Sequence, residues 1–204
     1  MKTKLILCDF DGTITKYDVL DALCGLNKKE KESQQIDYLF QLGQKDGQSA
    51  LIERFSLLEG LAMEAVYPVL EKVELNEGAE ALFAYARNHG IKVHVLSGNS
   101  TFVLEYFAKK FGFSKYSGSE LVVEDGVICR WDACRCVCVD KYAEALDYIQ
   151  QLKLRKDEII AVGDSVADEQ IFSLAGTTFL INKKGNITAD YNIERLDEII
   201  PYIN

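Results

Sequence analysis

A chain of 204 residues, 48% hydrophobic and 27% charged with only two prolines, has the make-up of one compact domain with room for a smaller inserted module. That composition excludes a disordered, collagen-like or disulfide-stapled chain, and a fold of this length needs neither metal nor disulfide to be stable. The net charge of −9 opposes approach to nucleic acid or to an anionic membrane surface. No apolar run nears the roughly 20 residues of a bilayer span, and the run ending at Cys8 is too short for a signal peptide, so the expected location is cytoplasmic.

Residues 4–8 form a continuous apolar run that ends in two aspartates and a glycine, the pattern of a strand buried on both faces of a parallel sheet. From 18 to 73 the periodicity is helical, in pieces at 18–26, 28–42, 48–58 and 62–73, broken by glycines at 43, 47 and 60. Pro68 is expected to kink the last piece. Alternation then resumes with a helix at 77–88, a strand at 92–96 and a helix at 101–111. Segments 120–123 and 127–130 flank Asp125-Gly126, a hairpin signal. A helix at 141–152, a strand at 158–162, a helix at 168–174, a strand at 178–181 and a weaker helix at 193–203 complete the chain. This rhythm predicts an α/β fold: a doubly wound parallel sheet formed by 1–14 and 75–204, with 15–74 inserted as an all-helical module and a small β-hairpin.

Six cysteines in a chain without an export signal are expected to be reduced thiols. Cys129, Cys134, Cys136 and Cys138 cluster, but alternate positions on a regular strand stand about 6 to 7 Å apart, too far for shared zinc bonds of about 2.3 Å. They are expected to be plain strand cysteines, and Cys8 and Cys24 core residues.

Ligands of open α/β sheets bind beyond the carboxyl ends of the strands. There the predicted strands deliver Asp9 and Asp11, then Ser97 and Gly98, then Gly163, Asp164 and Asp168, while Lys141 opens the intervening helix. Carboxylates gathered in one crevice raise one another's pKa unless a cation lies among them. A hard divalent ion such as Mg²⁺, which bridges carboxylates to a substrate phosphate, answers that need.

Asp9-Phe10-Asp11-Gly12-Thr13, Ser97-Gly98, Lys141 and Gly163-Asp164-Ser165-Val166-Ala167-Asp168 together resemble, in order, the four motifs of the haloacid dehalogenase superfamily. The resemblance spans nearly the whole chain. It implies a Rossmann-like core, Mg²⁺, an aspartyl-phosphate intermediate and a small phosphate ester as substrate, and the helical insertion matches the C1 cap of phosphoserine phosphatases. Asp9 is then the nucleophile, already ionised at neutral pH, and Asp11 the acid that protonates the leaving alkoxide and later deprotonates water. Mg²⁺ is expected on Asp9, the Asp11 carbonyl and Asp164, with Asp168 supporting them from behind and orienting Lys141. Ser97, Gly98 and Lys141 bind the phosphoryl oxygens. Arg54 matches the cap arginine that binds the substrate carboxylate, Asp18 stands where the family carries a substrate-binding glutamate, and Asn99 adds a contact.

Ser-Gly-Asn and Gly-Asp-Ser depart from the usual Ser-Gly-Gly and Gly-Asp-Gly of the phosphoserine enzymes. Gly-Asp-Ser and the cysteines before Lys141 are similar to diketo-methylthiopentyl phosphate phosphatases of methionine salvage, the alternative substrate reading. A phosphate-accepting signalling module is the alternative of another class, opposed by Asp11 and by the cap.

Overall fold

Strand β1 (Leu5–Cys8) has no exposed residue and sits in the middle of its sheet, paired on one side with β2 (Lys92–Ser100) and on the other with β6 (Ile159–Gly163). The computed structural model describes residues 2–129 and 140–203. Six strands, all parallel, run in the order β3-β2-β1-β6-β7-β8, with β3 at Lys115–Ser119, β7 at Thr177–Ile181 and β8 at Tyr191–Ile193. The order reverses at β1, so connections to either side leave a crevice at the carboxyl ends of β1 and β6.

Alternate residues of each strand feed two cores, as a period of two requires. Ile6, Cys8, Val93 and Val95 pack on α5 (Ala79–Asn88) and α6 (Thr101–Phe111), whereas Leu5, Leu7, Ile159 and Ala161 pack on α7 (Lys141–Leu152) and α8 (Glu169–Phe172). Burial on both faces explains why these strands read as unbroken apolar runs.

Between β1 and α5 lie α1 (Val19–Leu26), α2 (Glu30–Gln41), α3 (Gly47–Ser56) and α4 (Met63–Glu71). The chain enters and leaves this stretch beside an antiparallel bridge between Thr15 and Leu75. Asp18 and Asp46 cap α1 and α3, accepting from the N–H groups of Asp21 and Ser49. The inward faces of α1, α3 and α4, with Leu23, Phe55 and Leu70, continue the core on the α5 and α6 side of the sheet. The hairpin of β4 (Val123–Glu124) and β5 (Val127–Ile128) turns through Asp125 and Gly126, both at positive φ as its two-residue loop demands. It docks on the segment joining α3 to α4 through Gly60 N–H to Ile128 O and Met63 N–H to Gly126 O.

The helix expected at 168–174 is shortened to Glu169–Phe172 and the hairpin arms to two residues each, and three further elements differ more from the sequence expectation. β3 and β8 are edge strands with polar residues, so they lack the apolar run that marked the others. The segment expected as a helix at 193–203 is a 3₁₀ turn over Leu196–Tyr202, where Pro201 removes an N–H that a regular helix would use. Cys8 and Cys24 are buried and free, Cys129 is free and partly exposed, and Cys134, Cys136 and Cys138 lie outside the described residues. Among the described residues no helix is long and apolar enough to cross a membrane.

Candidate active site

The end of β1 places Asp9 at the floor of the crevice because its N–H continues the strand pairing to Val162 O at 3.0 Å. The residue is 5% exposed. Oδ1 accepts from Lys141 Nζ at 2.7 Å, and Oδ2 is buried with no hydrogen-bond partner. The chain then folds back on itself, with the N–H groups of Thr13, Ile14 and Thr15 all directed at Phe10 O. Gly12 sits at φ +85°, and a Cβ there would stand 2.1 Å from Asp164 Oδ2, so only glycine fits. Two asparagines absent from the sequence expectation clamp this loop. Asn76 Nδ2 lies within 3.1 Å of the carbonyls of Gly12, Thr13 and Thr15, and Asn182 Nδ2 donates to Gly12 O and Asn76 Oδ1.

The end of β6 supplies the second acidic group. Asp164 is 2% exposed, and its N–H, with that of Ser165, donates to Asp168 Oδ2 at 3.0 Å. Asp168 Oδ1 takes Lys141 Nζ at 2.8 Å. Asp168 is therefore spent on anchoring the loop and the lysine, while Asp9 Oδ2 and Asp164 Oδ2 are the oxygens left for a ligand. Gly163 makes this possible, since a Cβ there would collide with Asp168 Cγ at 2.4 Å. Lys141 reaches both acids from the first turn of α7, and although burial favours the neutral amine, Asp168 and Asp9 hold it protonated.

Oxygens of Asp9, Asp164 and Asp168 lie within 4.8 Å of one another. Burial, and then the charge of Asp168, raises the pKa of Asp9; burial, and then Asp9, raises that of Asp164 to about 7. A cation among them would reverse both shifts. The all-oxygen donor set and the unpartnered Asp9 Oδ2 fit a hard divalent ion such as Mg²⁺, which Asp9 and Asp164 could hold.

Asp11 projects into the space above this floor. Its oxygens accept from Val19 N–H at 2.8 Å, Ser97 Oγ at 3.1 Å and Asn99 Nδ2 at 3.1 Å. Burial, reinforced by the charge of Asp18, pushes its pKa up to about 8, so it carries a proton at neutral pH. Ser97 and Asn99 come from the far end of β2, where pairing with β3 shifts register between Leu96 and Ser100. Gly98 passes under Leu51 of α3, and a Cβ there would lie 2.8 Å from Leu51 Cδ1.

The opposite wall comes from α1, α2 and α3. Arg54 is 4% exposed and its guanidinium is surrounded: Nε donates to Ser33 Oγ at 2.8 Å, Nη2 pairs with Asp18 Oδ2 at 2.7 Å and Asp21 Oδ1 at 3.0 Å, and Nη1 meets Asp37 Oδ1 at 3.5 Å. Asp18 thus caps α1 with one oxygen and pairs with Arg54 through the other, which lowers its pKa despite burial. A cavity of about 420 Å³ separates floor and wall, and Asp9, Asp11, Arg54, Asn99 and Lys184 all line it. All ten expected site residues line this cavity except Asp168, which lies beneath it. The sequence expectation missed Asp21, Asp37 and Lys184. Lys184 is the third residue beyond β7, so the strand-end rule applied to that strand would have found it.

The sequence model of the haloacid dehalogenase-like hydrolases matches residues 6–173, which include the floor from Asp9 to Asp168. The chain belongs to that family. This hydrolase is 28% identical to the phosphoserine phosphatase of Methanocaldococcus jannaschii over 99% of its own length and 98% of the relative's. It is 27% identical to the phosphoserine phosphatase of Streptococcus thermophilus, over 95% and 91%. Among solved structures, it superposes on a substrate-bound phosphoserine phosphatase with a TM-score of 0.88 and on a phospho-aspartyl intermediate analogue of phosphoserine phosphatase with 0.85. Each is 27% identical and covered over the full length of both chains.

Proposed function

We propose that this hydrolase is a Mg²⁺-dependent phosphomonoesterase that acts on phosphoserine through a phosphoaspartate, with residues 15–74 as a cap over the site. The observation that carries the reading is the pair of aspartates at the end of β1, alike in sequence and different in surroundings. Asp9 is paired with Lys141 and keeps an unpartnered oxygen, whereas Asp11 is hydrogen-bonded to Ser97 and Asn99 and burial pushes its pKa up to about 8. Nearly full-length similarity to phosphoserine phosphatases supports the substrate.

Asp9 attacks phosphorus and displaces the substrate's alkoxide, which takes the Asp11 proton as the ester P–O bond breaks. Asp11, now a carboxylate, removes a proton from the water that attacks the phosphoaspartate. Inorganic phosphate leaves, and both acids return to their starting states. Ser97 Oγ, the Gly98 N–H and Lys141 steady the oxygens of the transferring phosphoryl group. Asp9, the Asp11 carbonyl and Asp164 would hold Mg²⁺, which would supply positive charge opposite those oxygens. Asp18 faces the substrate ammonium. Arg54, whose longest contact is Asp37 at 3.5 Å, exchanges that contact for the substrate carboxylate. Asn99 holds Asp11 in register with the leaving group.

Initial rates of phosphate release with Mg²⁺ across phosphoserine, phosphoethanolamine, a methionine-salvage phosphate and an aryl phosphate test this reading. Preference for phosphoserine is expected. Turnover of the others with phosphoserine inert overturns the substrate, and inertness towards all four overturns the reaction.

A further inference from the structure

Two lysines stand at the acidic floor, and they are held very differently. Lys141 is 7% exposed and clasped by Asp9 and Asp168. Lys184 is 47% exposed, and among the described residues its ammonium has one ion-pair partner, Asp164 Oδ2 at 2.7 Å. The backbone aims it there, since Lys184 N–H donates to Asp164 O at 2.6 Å and so fastens the loop after β7 to the end of β6. Glycine at position 12 admits the ammonium, because a Cβ there would lie 2.7 Å from Lys184 Nζ.

Asp164 Oδ2 is the oxygen that the proposed function gives to the divalent ion. An ammonium and a divalent cation in contact with one carboxylate oxygen repel each other, so each excludes the other. Lys141 cannot make way, because it would leave two buried carboxylates unpaired. Lys184 can, since its stem is half in solvent and its loss uncovers one oxygen. We propose that Lys184 is an exchangeable counter-ion, which neutralises Asp164 in the metal-free protein and yields that oxygen to the metal. Its ammonium thereby weakens the site's apparent affinity for Mg²⁺ and keeps the floor charge-balanced in both states. The inference rests on Asp164 being a metal ligand.

Calorimetric titration of the full-length, metal-stripped protein with Mg²⁺ tests it without recourse to turnover. Lys184→Met and Lys184→Gln each remove the competing ammonium, and Lys183→Met removes the same charge from the exposed neighbouring lysine, correcting for the general field. A contact formed about nine times in ten lowers apparent affinity about tenfold, so both Lys184 variants are expected to bind Mg²⁺ roughly three- to tenfold more tightly than Lys183→Met. Asp164→Asn is expected to bind it at least about tenfold more weakly than wild type. Lys184 variants equal to or weaker than Lys183→Met, with Asp164→Asn weakened, overturn the counter-ion alone. An unchanged affinity in Asp164→Asn overturns the ligand assignment itself, and the counter-ion with it.

Discussion

The floor and the wall of the cavity use the same ingredients, clustered aspartates and a buried cation, to opposite ends. On the floor, Lys141 holds Asp9 and Asp168 yet leaves Asp9 Oδ2 unpartnered, and among the described residues the one cation paired with Asp164 Oδ2 is a half-exposed lysine. On the wall, Asp18, Asp21 and Asp37 converge on the one guanidinium of Arg54, which Ser33 also engages. The floor keeps oxygens in reserve for a ligand, whereas the wall spends most of its charge on itself. A buried charge that is fully paired organises structure, and one left partly unpaired is available for chemistry.

Breaking the floor should therefore remove chemistry and leave the fold, and breaking the wall should cost the fold together with substrate binding. Asp9→Asn is expected to lower kcat on every phosphate ester by at least about 10⁴-fold while the melting temperature holds or rises, because the substitution removes a buried charge. Activity near wild type would remove Asp9 as nucleophile. Asp11→Asn should lower kcat by about 10² to 10⁴-fold, with a smaller loss on aryl phosphates, whose leaving groups need less help from an acid. An equal loss on aryl and alkyl esters would contradict the proton-donor role.

On the wall, Arg54→Ala leaves three acids without their cation, and denaturant unfolding should show a loss of about 2 to 4 kcal/mol. It should also weaken phosphoserine binding by a further 1.5 to 3 kcal/mol or about that, the worth of a charged hydrogen bond, with little effect on an aryl phosphate. Equal losses on both substrates would make Arg54 purely structural.

The smallest effect concerns the excess of acid on the wall. Burial, and then the charge of Asp18, raises the pKa of Asp21 to about 6 from an ordinary 3.8. Between those values the folded state binds more protons than the unfolded one, so this group's contribution to stability falls as pH rises from about 4 to 6. Asp21→Asn should then be about 1 to 2 kcal/mol more stable than wild type near pH 7.5, and lose most of that advantage near pH 4.5. A variant less stable at the higher pH would show that Asp21 is needed to balance Arg54.

The same contrast explains what was legible in the sequence. Floor residues follow directly from strands whose apolar runs announce themselves, so the ends of β1 and β6 located Asp9, Asp11, Asp164 and Asp168, and the start of α7 located Lys141. Wall residues come from three helices whose mutual packing no local pattern encodes. Arg54 and Asp18 were reached through resemblance, and Asp21 and Asp37 look like ordinary polar positions on amphipathic helices. Asn76 likewise carries no local sign that its amide gathers three carbonyls 61 to 64 positions away. β3 and β8 escaped because edge strands can remain polar and so lose the apolar run on which strand recognition depends.

The most direct test of the account is to trap the phosphoenzyme. The protein is mixed with phosphoserine and Mg²⁺, quenched in acid within the first turnover and digested, and its peptides are weighed. The account predicts one added phosphoryl group on the peptide that contains Asp9, absent from Asp9→Asn. A phosphoryl group on any other residue, or rapid phosphate release with no labelled peptide, would contradict it.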